Sequence, residues 1–286
     1  MAVHEIVQKQ ALAPDVVSVW LRAQRIARAR KPGQFIILRI ADGSERMPLT
    51  IADVDAAAGT IRLIVQAVGK TTRQLAALEV GQAIQDVAGP LGKPTHLENF
   101  GHAVCVGGGV GTAVVYPIAQ ALAELGNKVT AIVGGRTKDY VLLESELAQF
   151  CQEVIPTTDD GSYGRKGFVT SALKDLLDSS PEPAVKAVYA VGPVPMMKAV
   201  SELTKPYGIH TIVSLNPIMV DGTGMCGGCR VTVDGRSRFA CVDGPEFDGH
   251  LVDFDELAER LSTYRQAESQ ALQNFEQHRC KLKDNP

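Results

Sequence analysis

The sequence predicts an antiparallel β barrel followed by a doubly wound parallel α/β sheet, with a short cysteine-containing segment and a terminal helix. Three observations support this fold class. Short β-branched runs with turn residues between them occupy residues 1–98, strands and helices alternate over residues 99–215, and glycines and cysteines mark residues 216–286. Closely spaced short strands are typical of a barrel, whereas alternating strands and helices indicate a parallel sheet.

The first region has three clear strand patterns, VVSVWL, QFIILRI and TIRLIVQAV, and a possible short helix in TTRQLAAL. Its turns are marked by Pro32-Gly33, Asp42-Gly43 and Gly89-Pro90. In the second region the predicted strands are AVCVGGG, VTAIVGG, EVIPTT, AVYAVG and HTIVSL. The predicted helices between them are AVVYPIAQALAEL, LLESELAQF, VTSALKDLL and PMMKAVSELT. The third region begins after Asn216-Pro217, and we expect one helix from about Asp253 to Gln277.

Length and composition are those of a globular protein with two domains of ordinary size. The 286 residues are 45% hydrophobic and 21% charged, with a net charge of -3. This charge gives no reason to expect nucleic acid or an anionic membrane as a partner. No run approaches the roughly 20 apolar residues of a membrane span. Because the N-terminus also lacks the pattern of a signal peptide, we expect a cytoplasmic protein.

The strongest motif is Asp221-Gly-Thr-Gly-Met-Cys226-Gly-Gly-Cys229, with Cys241 following after eleven more residues. It has the C-x4-C-x2-C…C spacing of plant-type [2Fe–2S] sites, except that Asp221 stands where the first cysteine would be. Two irons need four anionic ligands, and glycines let a tight loop wrap the cluster. The motif therefore predicts a [2Fe–2S] cluster held by Asp221, Cys226, Cys229 and Cys241.

Other interpretations of these cysteines stay open. A structural zinc site with three cysteines and a fourth donor, or a chance group of cysteines in a loop, would also fit. If Asp221 is not a ligand, the fourth donor would be Asp243, His250 or Cys280. Cys105 and Cys151 lie in or beside apolar runs, and we expect both to be small buried side chains.

A second motif, Gly107-Gly-Gly-Val-Gly-Thr112, lies between a predicted buried strand and a helix. Glycines there let a phosphate approach the backbone and the helix N-terminus. Two other strand ends, one with Asp160 and one with Gly192-Pro193, fall at the same edge of the predicted sheet. These turns together predict a dinucleotide site comprising Gly108, Gly109, Val110, Gly111, Thr112, Gly135, Arg136, Asp160, Gly192, Pro193 and Met196. The usual acidic ribose ligand is missing, because the second strand ends in Gly135-Arg136.

A third set of residues lies in the barrel, where Arg46 and the turn Gly69-Lys70-Thr71-Thr72 suit a diphosphate. Arginine supplies a cation, and the turn supplies backbone and hydroxyl donors. Without further context, a strand with a solvated arginine would explain the same residues.

The motifs RMPLT, GKTT, GGGVGTA, TDDGSYG, VGPVPMM and DGTGMCGGCRV occur in this order along essentially the whole chain. In this the chain resembles the ferredoxin reductase superfamily of flavoproteins. It is most similar to the branch that holds the electron-transfer subunit of dihydroorotate dehydrogenase and the small subunit of NADH-dependent reduced ferredoxin:NADP oxidoreductase. The resemblance implies an FAD-binding barrel over residues 1–98, an NAD(P)-binding domain over 99–215 and a cluster segment with a C-terminal helix over 216–286.

The implied cofactors are FAD, NAD(H), with NADP(H) possible, and a [2Fe–2S] cluster. The resemblance places FAD on Arg46, Pro48, Leu49, Thr50, Ile64, Val65, Gln66, Gly69, Thr71 and Thr72. No catalytic side chain is expected, since hydride transfer depends on the proximity of the cofactors rather than on an acid or base. The implied partner is a larger flavoprotein with iron–sulfur clusters, which would couple the chain indirectly to ferredoxin by electron bifurcation.

Two departures refine this expectation. Dihydroorotate dehydrogenase subunits carry cysteine at the first cluster position, so Asp221 favours the ferredoxin:NADP oxidoreductase subunit. Val191 stands where many reductases have cysteine before the Gly-Pro pair. The electron-transfer subunit of dihydroorotate dehydrogenase and a non-catalytic redox-sensing module remain alternatives.

Two further questions stay open at the level of sequence. We expect NADH to be preferred, although Arg136 would also suit a 2′-phosphate. The terminal helix carries one apolar face, which would pack against the chain itself or against a partner. That face comprises Leu257, Leu261, Tyr264, Leu272 and Phe275.

Overall fold

The computed structural model describes residues 4–180 and 182–283, with side chains up to residue 277. As predicted, the chain begins with a barrel of seven short strands and two helices. The strands are β1 (Ile6–Ala13), β2 (Val16–Arg22), β3 (Phe35–Arg39), β4 (Met47–Thr50), β5 (Asp53–Asp55), β6 (Thr60–Gln66) and β7 (Asp86–Leu91). The helices are α1 (Gln24–Ala29) and α2 (Lys70–Ala77), the latter within the predicted TTRQLAAL stretch.

The barrel strands form two antiparallel sheets, in the orders β1-β2-β6-β5 and β4-β3-β7. A bridge between Glu5 and Ala83 joins the sheets on one side. Strand β6 shows how the period of two sorts side chains. Its buried Ile61, Leu63 and Val65 belong to the barrel core, whereas Arg62 and Ile64 point to the other face. That outer face of β6 meets the second domain.

The second region is the predicted α/β sheet. Its strands are β8 (His102–Gly108), β9 (Lys128–Gly135), β10 (Glu153–Thr158), β11 (Arg165–Lys166), β12 (Ala187–Val191) and β13 (His210–Ser214). Its helices are α3 (Thr112–Glu124), α4 (Glu144–Leu147), α5 (Val169–Asp178) and α6 (Val194–Thr204). All neighbouring pairs among these strands are parallel, in the order β11-β10-β9-β8-β12-β13.

The third region contains β14 (Arg230–Val233), β15 (Arg236–Phe239), α7 (Ala240–Asp243), β16 (Glu246–Asp248), α8 (Phe254–Ser262) and α9 (Arg265–Lys283). Strands β14 and β15 form a hairpin, and both turn residues, Asp234 and Gly235, have positive φ, as a two-residue hairpin turn requires. Strand β16 joins the edge of the α/β sheet antiparallel to β13. The third region is therefore hydrogen-bonded into the second rather than appended to it.

Two predicted helices differ from the structure. The stretch LLESELAQF forms only the single turn α4, which begins after Leu143 in a left-handed conformation. The expected helix from Asp253 to Gln277 is two helices, because the Thr263 N–H bonds to the Arg260 carbonyl in a tight turn that ends α8. The predicted apolar face is therefore divided: Leu257 and Leu261 pack into the core, Tyr264 is exposed, and Leu272 and Phe275 are half-buried.

Helix α9 runs beside α2 of the barrel, to which the Arg73–Glu276 ion pair joins it. Neither α9 nor any other helix in the described part of the chain combines the length and apolar character needed to cross a membrane.

Candidate functional site

The glycine-rich turn lies at the carboxyl end of β8 and leads through a 3₁₀ turn into α3. A Cβ on Gly111 would lie 2.2 Å from the Val191 carbonyl oxygen, and one on Gly108 would lie 2.5 Å from the Met196 sulfur. The turn after β8 therefore touches the backbone of the turn after β12 at Gly111 and the Met196 side chain at Gly108, with no room for a further side chain at either glycine. Such a bare backbone at the carboxyl edge of a parallel sheet is what a dinucleotide phosphate needs.

Other residues predicted for this site lie at the same edge. The Asp159 and Asp160 N–H groups donate to the carbonyls of Gly135 and Arg136, at 3.1 and 3.3 Å, and so hold the ends of β10 and β9 together. The Arg136 side chain is exposed. A hydrogen bond from the Ser162 N–H lowers the pKa of the Asp160 carboxyl. The edge thus carries the exposed cation Arg136 and the ionised acid Asp160 near the ends of these strands.

At two predicted positions of the turn the side chain packs into the protein, so that only the backbone could face a ligand. Val110 packs against the apolar cluster that contains Ile64 of the barrel. Thr112 is fully buried, and its hydroxyl has no partner among the described residues. The turn between β8 and α3 therefore offers a ligand mainly its N–H groups.

The predicted diphosphate site in the barrel combines β4 with the start of α2. Gly69 caps α2, with the Thr72 hydroxyl accepting from the Gly69 N–H at 2.9 Å. Arg46 is exposed directly before β4. Between these two segments lies Glu45, which accepts a hydrogen bond from the Thr71 hydroxyl. An anion therefore already lies at this helix N-terminus, a position that favours negative charge, and a diphosphate fits the same surroundings.

The other barrel residues predicted to bind FAD differ in whether their side chains or only their backbones could face a ligand. Val65 points into the barrel core and Ile64 towards the α/β sheet, so that their backbones alone can face a ligand. Gln66 donates to Asp15 at 3.0 Å. In β4, Pro48 pairs with Ile37 and Thr50 with Phe35. Leu49 and Thr50 are half-buried.

The cysteine loop brings its predicted ligands together in two pairs. The sulfur atoms of Cys229 and Cys241 lie 3.2 Å apart and are buried. Cys226 is exposed, and its backbone N–H donates to Asp221 Oδ2 at 2.8 Å. The other carboxylate oxygen of Asp221 accepts from the Thr223 N–H at 2.6 Å. Asp221 therefore orders the loop on the side of Cys226, while Cys229 and Cys241 form the second pair.

This pairing fits a two-iron cluster better than a single metal ion. Within residues 4–180 and 182–277, no three His, Cys, Asp or Glu side chains converge as they would around one ion. A structural zinc site needs four donors around one metal, whereas each iron of a [2Fe–2S] cluster takes two protein ligands. The donor pairs Asp221 with Cys226 and Cys229 with Cys241 match that need.

The electrostatics of the loop are set by burial and hydrogen bonding. Hydrogen bonds from Thr223 and Cys226 hold the pKa of the Asp221 carboxyl well below its usual range. Burial, and then the neighbouring Cys229 thiol, raise the pKa of the Cys241 thiol to about 12. Metal binding to cysteine releases this proton, because the thiolate is the ligand.

Two of the three alternative fourth ligands are engaged elsewhere. Asp243 accepts from the Phe239 N–H at 2.8 Å, and His250 Nε2 lies 3.0 Å from the Thr204 hydroxyl. The side chain of Cys280 lies outside the described residues.

The loop also touches the barrel. A Cβ on Gly222, whose φ is +77°, would lie 2.8 Å from side-chain atoms of both Ile37 and Leu91. Ile37 pairs with Pro48 of the predicted FAD segment. One barrel strand, β3, therefore separates the cysteine loop from that segment.

Sequence reasoning missed the ion pair that crosses from the barrel to the α/β sheet. Arg62 donates to both carboxylate oxygens of Glu146, at 3.0 and 3.1 Å, and its Nε donates to the Ser18 hydroxyl at 2.9 Å. The only signal in the sequence was an arginine at an interior position of the TIRLIVQ strand.

Comparisons with known proteins agree with this arrangement. The model of the iron–sulfur cluster binding domain of dihydroorotate dehydrogenase B matches residues 216–253, and that of the oxidoreductase NAD-binding domain matches residues 105–202. A Thermotoga maritima protein, the electron transfer subunit homolog of dihydroorotate dehydrogenase B (NAD(+)), is 47% identical over 96% of both chains. The electron transfer subunit itself from Fusobacterium nucleatum is 34% identical over 82% of this chain and 92% of that protein.

Among solved structures, a chain of the NADH-dependent reduced ferredoxin-NADP oxidoreductase is 46% identical, with a TM-score of 0.91 over 96% of this chain and 98% of that one. A ferredoxin reductase of carbazole 1,9a-dioxygenase shares the fold at 23% identity, with a TM-score of 0.59 over 72% and 65% of the two chains. The cofactors of this fold and these domains are FAD, NAD(H) and an iron–sulfur cluster. The chain therefore belongs to the family of dihydroorotate dehydrogenase B electron-transfer subunits and their homologues, and is an oxidoreductase electron-transfer subunit.

Proposed function

We propose that the chain carries electrons between NAD(H) and a larger iron–sulfur flavoprotein, as the small subunit of an electron-bifurcating ferredoxin:NADP oxidoreductase. FAD would exchange a hydride with NAD(H) and single electrons with the [2Fe–2S] cluster. The domains would be the FAD barrel near residues 1–98, the NAD domain near 99–215 and the cluster segment from 216 onward.

The observation that carries this proposal is the contact of the cysteine loop with the barrel. Gly222 packs on Ile37, and Ile37 pairs with Pro48, next to the proposed flavin residues Leu49 and Thr50. A cluster in the loop and a flavin on β4 would thus be neighbours across one strand, as direct electron transfer requires.

The dinucleotide side is joined to the barrel in a similar way. Val110 of the glycine-rich turn and Ala113 of α3 pack in one cluster with Ile64 of β6. The turn that would hold the nicotinamide dinucleotide therefore borders the strand that would line the flavin. The protein's part is to hold these surfaces together and to keep the cofactors aligned, for which no acid or base is needed.

Two features support the ferredoxin:NADP oxidoreductase over dihydroorotate dehydrogenase. Asp221 occupies the first ligand position, where its carboxylate lies beside the Cys226 N–H. The identity to the chain of the solved oxidoreductase, 46%, also exceeds the 34% to the Fusobacterium nucleatum subunit, and the Thermotoga maritima protein at 47% is named a homolog of that subunit rather than the subunit itself.

The partner assay tests this choice. The chain would be purified together with the larger flavoprotein, and two reactions would be measured anaerobically: NADP+ reduction by NADH with reduced ferredoxin, and NAD+ reduction by dihydroorotate. We expect only the first. Activity with dihydroorotate alone would assign the complex to the alternative.

The remaining alternative is a redox-sensing module, which would differ from an enzyme in the rate at which NADH reduces its flavin. We expect NADH to bleach the flavin absorbance of the isolated chain within the stopped-flow time range. Intact FAD that NADH does not bleach would favour a sensor over an enzyme.

A further inference from the structure

A cleft of about 290 Å³ opens beside Cys226, the exposed cysteine of the proposed cluster. Its walls include the loop glycines Gly227 and Gly228, and two arginines, Arg230 and Arg260, line it. None of its lining residues is acidic. The cleft lies just below the range of about 300–1,000 Å³ that is usual for small-molecule sites. It is therefore large enough for a side chain and too small for a dinucleotide.

The two arginines retain hydrogen-bonding capacity. Arg260 donates from Nη2 to the Gly228 carbonyl at 3.4 Å, while its Nε is buried without a partner among the described residues. Arg230 is exposed, and its Nη1 lies 3.8 Å from where a Cβ on Gly227 would be. In the described part of the chain, neither arginine has an acidic group within 4.0 Å. A guanidinium in this state suits a carboxylate, which it can bind through two parallel hydrogen bonds.

The rim of the cleft is apolar. Val220 and Tyr264 line it and are 48% and 56% exposed. Next to Cys226 stands Met225, which is 89% exposed. Beyond it, Val242 lies 3.2 Å from where a Cβ on Gly224 would be and is 39% exposed. Exposed apolar side chains grouped around a polar centre mark a protein-docking surface, whereas single ones are ordinary.

We propose that this cleft, with its apolar rim, docks the electron-transfer partner by receiving a carboxylate side chain of that protein between Arg230 and Arg260. The partner surface would be apolar around this carboxylate, so as to cover Met225, Val220 and Tyr264. Docking at this point would bring the partner to the exposed Cys226, whereas Gly222 of the same loop is buried against the barrel. The inference rests on the proposed function, since it names the surface through which the relay would deliver its electrons.

The test uses the full chain with its cofactors and the larger flavoprotein subunit. The dissociation constant of the complex would be measured for Arg230→Gln, Arg260→Gln and Tyr264→Ala, at two salt concentrations. The matched control is Arg236→Gln, because Arg236 is an exposed arginine on the β14–β15 hairpin that does not line the cleft. We expect each arginine variant to weaken the complex at least tenfold, about 1.4 kcal/mol, and to reduce its salt dependence. We expect Tyr264→Ala to weaken the complex with unchanged salt dependence, and the control to stay within about twofold.

A different role for the arginines would be to balance the negative charge of the cluster itself. Two measurements on each variant without the partner distinguish this role from docking. They are the midpoint potential of the cluster, followed by EPR, and the iron content. A shifted potential with unchanged partner affinity would overturn the docking proposal. Because Tyr264 is exposed and carries no charge, its variant reports on docking even if an arginine variant folds poorly.

The relay and the docking site can fail separately. NADH reduction of the cluster in the isolated wild-type chain tests the relay without the partner. If that reduction occurs and the complex forms, but all three cleft variants bind like wild type, the docking proposal alone is wrong. A wild-type chain that reduces its cluster with NADH but forms no complex with the larger subunit would overturn the docking proposal and the proposed role as a small subunit, while leaving the relay in place.

Discussion

Arg62 and Glu146 form an ion pair with two hydrogen bonds across the boundary between the barrel and the α/β sheet, with N–O distances of 3.0 and 3.1 Å. The two side chains are unequally buried, 7% and 35% exposed. Arg62 belongs to β6, the strand whose neighbouring Ile64 packs with the glycine-rich turn. The pair therefore fixes the surface on which the proposed flavin and dinucleotide sites meet.

The unequal burial predicts unequal effects of removing each partner. Glu146→Ala leaves a buried guanidinium unpaired and should lower the free energy of unfolding by about 3 kcal/mol. Arg62→Met keeps most of the buried side-chain volume and leaves a carboxylate that water can reach, so the loss should be only about 1 kcal/mol. Urea unfolding of the two variants measures the difference. Glu79→Ala, which removes an exposed pair with Lys9, is the control and should change stability by less than about 0.5 kcal/mol. Equal losses from both variants of the buried pair would contradict the explanation.

A second prediction concerns FAD. Arg46→Ala removes a charge-assisted hydrogen bond to the proposed diphosphate and should weaken FAD retention by about 1.5–3 kcal/mol. Arg28, an exposed arginine on α1, provides the control variant Arg28→Ala, which should retain FAD as wild type does. Glu45→Gln should act in the opposite direction, because it removes a negative charge beside Thr71 at the same helix N-terminus. Flavin fluorescence after dialysis measures all three, and release of FMN instead of FAD would refute the diphosphate site.

Glu246 predicts how stability changes with pH. Burial raises the pKa of its carboxyl to about 7, although a hydrogen bond from the Thr95 hydroxyl, at 2.7 Å, acts to lower it. The folded state therefore holds this proton more tightly than the unfolded state, whose carboxyl has a pKa near 4.5. Wild-type stability should fall as pH rises from about 4.5 to 7 and the carboxyl ionises.

Glu246→Gln keeps the acceptor for Thr95 but removes the ionisation. The variant should match wild type near pH 4.5 and exceed it above pH 7, by about 3 kcal/mol. Urea titrations at several pH values test this. A constant difference between the two proteins at every pH would show that Glu246 does not titrate in this range.

Arg136 allows a test of the preference between the two nicotinamide cofactors. Its side chain is exposed at the end of β9, close to the ionised Asp160, which would repel a 2′-phosphate. We expect NADH to reduce the flavin faster than NADPH does in stopped-flow experiments. A preference for NADPH of about tenfold, roughly 1.4 kcal/mol, that disappeared in Arg136→Ala would show that this arginine binds the phosphate.

Much of the fold could be predicted because its signals are local. The EVIPTT strand has the bounds that its pattern indicates, and the glycine-rich turn lies at the predicted strand end. The prediction of a single terminal helix was wrong. An apolar face in the sequence does not show where the chain stops packing on the core of the α/β sheet, as α8 does, and begins to pack beside α2, as α9 does. The ion pair joins Arg62 and Glu146, which are 84 residues apart, and the cleft brings the cysteine loop together with Arg260. Both features depend on tertiary packing, so no local sequence pattern predicts them.

The last prediction concerns Asp221, on which the choice of subfamily rests. Its carboxylate accepts hydrogen bonds from the Thr223 and Cys226 N–H groups, so it can order the loop as well as bind iron. Asp221→Asn keeps one acceptor for the loop but weakens the iron ligand, whereas Asp221→Cys restores a ligand of the usual plant type.

If Asp221 binds iron, Asp221→Cys should retain iron with an altered EPR spectrum and reduction potential, and Asp221→Asn should lose iron faster than wild type. If Asp221 only orders the loop, Asp221→Asn should behave as wild type, and Asp221→Cys should be the less stable of the two. Iron content and EPR spectra of the variants distinguish these outcomes, and Asp255→Asn serves as the control because Asp255 is an exposed aspartate on α8 that pairs with Lys198, outside the cysteine loop. An unchanged spectrum and potential in both Asp221 variants would remove the main reason for preferring the ferredoxin:NADP oxidoreductase over dihydroorotate dehydrogenase.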